Sequence, residues 1–127
     1  MINIGLNAAR ALCATLFLTC SLSATTAWAH AHLQQQTPAA GSEVSPAPQS
    51  LTLRFSEGIE PRFSGVSLTG PEDKRVQLGK AVRSNEDDAQ LNVEIAQPLN
   101  SGLYTVNWHV VSVDGHKTQG KYQFRVK

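Results

Sequence analysis

The chain has 127 residues, 41% of them hydrophobic, with 11 Lys and Arg against 10 Asp and Glu and a formal charge of +1. That length holds one domain, and a charge so close to balance excludes the basic surface that a nucleic acid or an anionic membrane partner requires. Both cysteines and the one methionine fall before residue 30, so a disulfide framework and a thioether metal site are excluded from everything that follows.

Residues 1–29 read as a segment apart. A single positive charge, Arg10, precedes the apolar stretch ALCATLFLTCSLSATTAWA, which ends in Ala27, Trp28 and Ala29. A charged start, an apolar middle and small residues at the −3 and −1 positions are the layout of a cleaved secretory signal peptide. Threonines and serines interrupt the apolar core, which falls short of the ~20 residues of a spanning helix, so no membrane insertion is expected after cleavage. Cleavage after Ala29 makes His30 the first residue of a domain spanning 30–127. It removes Arg10, leaving 11 − 1 = 10 basic residues against 10 acidic ones.

Period-two alternation dominates the rest, as in half-buried strands. In chain order the predicted strands are HLQQQ (32–36), LTLRF (51–55), GVSLTG (65–70), RVQLG (75–79), LNVEI (91–95), YTVNWHVVSV (104–113) and YQFRV (122–126). The segment 37–50 holds three prolines and a glycine and cannot be a helix or a central strand. Segments 70–74, 84–89, 97–102 and 114–120 read as loops or hairpin ends. Short strands parted by turn clusters predict an all-β fold, a Greek-key immunoglobulin-like β-sandwich of about seven strands. In the longest strand Tyr104, Val106, Trp108 and Val110 share one face and are expected in the core. Thr105, Asn107, His109 and Val111 share the other, which puts His109 on the outside.

Two histidine clusters carry the chemistry. In Asp114-Gly115-His116 the acid and the imidazole are one residue apart, and an extended backbone points both the same way. The same tripeptide is also a common turn. The second cluster is the new terminus, His30-Ala31-His32. A free α-amine and an imidazole both shed protons near neutrality, and a first-position histidine can chelate one ion through its amine and its own Nδ1. Completed by another imidazole and a carboxylate, this histidine brace offers three nitrogens and one oxygen, a set suited to Cu(II). His32 allows a rival mode in which the amine, two deprotonated amides and the third-residue imidazole wrap the ion. The strand-like start of the segment favours the brace.

The start HAHL, then TPAAGSEV, LTLRFSEGIE and GLYTVNWHVVSVDGHKTQGKYQFRVK, resemble the CopC family of periplasmic copper-binding proteins over residues 27–127. The resemblance implies a seven-stranded sandwich in the periplasm that binds one Cu(II) per chain without catalysis. It implies His30, Asp114 and His116 as the metal ligands, a role in copper homeostasis or resistance, and an inner-membrane CopD-type transporter as a partner. Family members with a methionine-rich loop also hold Cu(I); the missing methionines argue against that here. Two other readings compete. A copper oxidoreductase of the monooxygenase type shares the brace but needs an open coordination position and a broad substrate face. A metal-free immunoglobulin-like interaction module would leave both histidine clusters incidental.

Overall fold

A computed structural model describes residues 30–127; the expected signal peptide, residues 1–29, lies outside them. Among the described residues nine strands form in chain order: β1 (Leu33–Thr37), β2 (Glu43–Val44), β3 (Ser50–Phe55), β4 (Gly65–Thr69), β5 (Arg75–Val76), β6 (Val82–Arg83), β7 (Gln90–Glu94), β8 (Gly102–Val111) and β9 (Lys117–Val126). They make a four-stranded sheet in the order β1-β3-β7-β6 and a five-stranded sheet in the order β2-β9-β8-β4-β5. The chain crosses between the sheets after β1, β2, β3, β5 and β7, so the fold is a Greek-key sandwich, as expected. Among the described residues no helix is long and apolar enough to cross a membrane.

Alternation makes the core. Leu51, Leu53 and Phe55 of β3 and Leu91 and Val93 of β7 face inward from one sheet. Tyr104, Val106, Trp108 and Val110 of β8 meet them from the other, with Tyr122, Phe124 and Val126 of β9. Phe55 and Trp108 join the two layers edge to face, ring centroids 5.2 Å apart, a favoured aromatic geometry. Tyr104 stacks on Phe124, its cross-strand neighbour, at 5.6 Å.

The strand ends depart from the sequence pattern in three places. β9 begins at Lys117, inside the segment expected to be a loop, because β8 keeps its hydrogen-bonded register with it as far as Val111 opposite Lys117. Gly120, which looked like a turn residue, sits opposite Trp108 within that ladder. A β-carbon there would stand 2.5 Å from the indole, so the glycine makes room for the ring. β5 stops at Val76 rather than running to Gly79, although Leu78 still bridges to Ile95. The two-residue strands β2 and β6 add to the expected seven; β2, inside the proline-rich segment, takes the edge of its sheet and pairs parallel with β9.

The two tyrosines of the core are treated differently. The Tyr104 hydroxyl donates to the Asn100 carbonyl oxygen at 2.8 Å, the tyrosine-corner contact of immunoglobulin-like sandwiches. The Tyr122 hydroxyl is enclosed with no hydrogen-bond partner among the described residues, and its burial pushes the phenol up to about 12. An unmade buried hydrogen bond costs, and a made one contributes roughly 0.5–1.5 kcal/mol. Tyr104→Phe should therefore lower stability by about 1 kcal/mol, whereas Tyr122→Phe should leave it unchanged or raise it, read by thermal or urea unfolding. Above pH ~10 an unfolded tyrosine ionises while buried Tyr122 does not, so the native state loses stability as pH rises. That alkaline loss should be smaller in Tyr122→Phe.

Candidate metal centre

The β8–β9 hairpin closes through a tight turn. Ser112 N–H donates to the His116 carbonyl oxygen at 2.9 Å and Gly115 N–H to that of Ser112 at 2.8 Å. Gly115 has φ +89, a left-handed conformation that glycine adopts without penalty. Asp114 and His116 are thus brought together by a turn rather than by the extended backbone the spacing suggested. The outcome is the same: His116 Nδ1 and Asp114 Oδ2 are 3.0 Å apart, with both side chains exposed to water.

The Asp114 carboxylate has other partners. The Ser112 hydroxyl, itself fully buried, donates to Oδ1, and the His116 backbone N–H points at the same oxygen from 3.4 Å. The Ser112 bond is the largest influence on the Asp114 carboxyl; desolvation, next in size, opposes it, and the contacts with His116 help to hold the group below its ordinary range. The acid therefore stays anionic well into mild acid.

The hairpin tip is braced from the other sheet by the loop after β3. Val113 N–H donates to Gly58 O at 2.9 Å and Glu60 N–H to Val111 O at 2.8 Å. Buried Ile59 bridges to Ser112 in the same stretch.

His30 comes to this turn. Its ring meets that of His116 edge to face, centroids 4.8 Å apart. The next residue, Ala31, has no exposed surface. Its carbonyl oxygen accepts from the Thr118 hydroxyl of β9 at 2.9 Å. His32 N–H donates to Ser56 Oγ at 2.8 Å, and Ser56 N–H returns a bond to the His32 carbonyl oxygen at 2.8 Å. The Ser56 hydroxyl reaches the His30 carbonyl oxygen at 3.4 Å. The first three described residues thus run between the end of β3 in one sheet and the start of β9 in the other. The three residues singled out from the sequence, His30, Asp114 and His116, are gathered at one end of the sandwich.

The remaining histidines lie differently. His109 is exposed on the outer face of the five-stranded sheet, as its place in the alternation predicted. It lies over Gly65, its cross-strand neighbour, where a β-carbon would stand 2.5 Å from the ring. The side chain of His32 is exposed. Ser56, Ser112 and Thr118 carried no signal in the sequence: hydroxyl residues at strand ends follow no period, and their partners lie up to 87 residues away.

Among the described residues no group of three or more His, Cys, Asp and Glu side chains could by itself hold a metal ion. The donor set fits copper only with a backbone atom added, the nitrogen of His30, which is tied to Ala29 in the 127-residue chain. Freed as an amine, it would stand on the same residue as the imidazole that meets His116. The 3.0 Å between His116 and Asp114 is close to the roughly 2.8 Å that separates adjacent donors bound at about 2 Å in a tetragonal plane.

Residues 33–127 match the CopC domain model. The protein YobA of Escherichia coli K12 is 53% identical over 114 residues, covering 90% of this chain and 92% of its own. The crystal structure of CopC from Methylosinus trichosporium OB3b superposes with a TM-score of 0.72 at 33% identity, covering 77% of this chain and 94% of that one. PcoC, described as a methionine-rich copper resistance protein from Escherichia coli, gives a TM-score of 0.69 at 35% identity over 78% of this chain and all of its own.

Ser112→Ala removes the strongest influence on Asp114. Its carboxyl should titrate at a higher pH, nearer the ordinary value, in a carbon-detected NMR titration of the metal-free protein. A group held low in the folded state stabilises it above the unfolded pKa and loses that contribution as pH falls. The variant should consequently show a weaker dependence of stability on pH below 4.

Proposed function

The chain belongs to the CopC family, and on that premise we propose that it is a periplasmic Cu(II) carrier or buffer in copper homeostasis or resistance. Removal of residues 1–29 frees the amine of His30. That amine and the His30 Nδ1, an imidazole nitrogen of His116 and a carboxylate oxygen of Asp114 then hold one cupric ion. The observation that carries this reading is the meeting of the His30 and His116 rings at 4.8 Å, with Asp114 beside His116 at 3.0 Å.

The copper is cargo, and the role is binding rather than catalysis. The site is open to solvent, with 45% and 37% of the His116 and Asp114 side chains exposed, which suits an ion that must be handed on. The partner implied by the family is an inner-membrane CopD-type transporter. Unlike the methionine-rich PcoC, this chain has Met1 as its one methionine, and with Cys13 and Cys20 also inside residues 1–29 the processed domain lacks the soft sulfur donors that retain Cu(I).

Nitrogen donors must shed their protons to bind a metal ion. Cu(II) affinity should therefore fall as pH drops through about 6.5, the range in which imidazoles as a class take up protons. Isothermal titration compares the processed protein with a version carrying one extra residue before His30. The extension should weaken Cu(II) binding by more than the roughly 10- to 100-fold that loss of an outer hydrogen-bond partner costs. His116→Ala and Asp114→Ala should each weaken it too. Equal affinity for the processed and extended proteins would refute the brace.

A further inference from the structure

The start His30-Ala31-His32 can take Cu(II) in two mutually exclusive ways, because both use the single amine of His30. In the brace the peptide nitrogens stay protonated. In the rival mode the nitrogens of Ala31 and His32 each lose a proton to water and join the amine and the His32 imidazole, placing four nitrogens around the ion. Which one forms depends on whether the two peptide planes can turn toward the terminus.

We propose that Ser56, together with Thr118, is a positioning pair that enforces the brace by denying the peptide nitrogens to copper; this rests on the copper reading above. The His32 N–H is already engaged, donating to Ser56 Oγ at 2.8 Å. The carbonyl on each side of that nitrogen is pinned, Ala31 O by the Thr118 hydroxyl at 2.9 Å and His32 O by Ser56 N–H at 2.8 Å. Just before these pins Ala31 has no exposed surface. The four-nitrogen mode needs both peptide planes, and turning the one between Ala31 and His32 toward the amine breaks the bonds to Ser56 Oγ and Thr118 and disturbs the buried Ala31. Ser56 directly follows β3 of one sheet and Thr118 lies in β9 of the other, so the segment is gripped from both sides.

The grip also accounts for the orientation of His30. With Ala31 fixed and the His30 carbonyl oxygen facing the Ser56 hydroxyl at 3.4 Å, the first residue has few ways to place its ring, and the one adopted meets His116. Ser56 touches no metal donor of the brace. Its effect is exerted through the backbone of residues 30–32.

Electron paramagnetic resonance and visible absorption of the Cu(II)-loaded processed protein test this, with the free tetrapeptide His-Ala-His-Leu as the reference for the four-nitrogen mode. Wild type should show three nitrogens and one oxygen in plane and should change in His116→Ala. Ser56→Ala should shift the spectra toward the tetrapeptide pattern, and His32→Ala added to it should abolish the shift. Ser56→Thr, which keeps the hydroxyl, should stay like wild type. Thr118→Val keeps the branched shape and removes only the hydroxyl, so it tests the grip from the other sheet and should shift the same way. Circular dichroism establishes that each variant is folded. Folded Ser56→Ala and Thr118→Val proteins with wild-type spectra would overturn the proposal and leave the brace standing. A wild-type protein that already matches the tetrapeptide and ignores His116→Ala would overturn the brace itself, and the proposal with it.

Discussion

The burial of Ala31 is the constraint on which the geometry of the candidate metal centre depends. A methyl group contributes only about 0.8 kcal/mol when taken from water, but here it acts with backbone hydrogen bonds from both sheets. Together these fix a segment that removal of residues 1–29 would make the terminus, and termini in most domains are poorly ordered unless tied down. Because Ala31 is inside, its neighbours on either side point outward, and the first of them meets the hairpin turn. The geometry of the candidate centre follows from a small apolar side chain and two hydroxyls more than from any property of the histidines.

The turn supplies the complementary half by different means. Gly115 lets the chain double back, and buried Ser112 both closes the loop and fixes the carboxylate of Asp114. The loop after β3 props the tip from the opposite sheet. Each donor therefore sits on a short, irregular segment held by the ends of regular strands, an arrangement in which a rigid scaffold carries functional loops.

Much of the fold was legible in the alternation. β3, β4, β7 and β8 fall close to where apolar and polar residues exchange places, and the inward face of β8 is the one the pattern indicated. What was not legible is governed by partners rather than by local sequence. β2 and β6 exist because an edge was available to two residues, and β9 extends to Lys117 because β8 pairs that far. At the candidate site, His30, Asp114 and His116 could be chosen from the chemistry of a freed terminus and from the family resemblance. Ser56, Ser112 and Thr118 could not, since a serine at a strand end looks alike whether it faces water or grips a backbone 26 residues away.

The contact between His30 and His116 joins positions 116 − 30 = 86 residues apart, in a domain that has no cysteine beyond Cys20. An ion gripping both ends would act as a removable staple, closing nearly the whole domain into a loop as a disulfide does in small secreted proteins. Binding only to the folded form, it would raise resistance to unfolding in step with free copper concentration. The protein's durability would then report how much metal it carries, and giving up the ion would leave it easier to degrade.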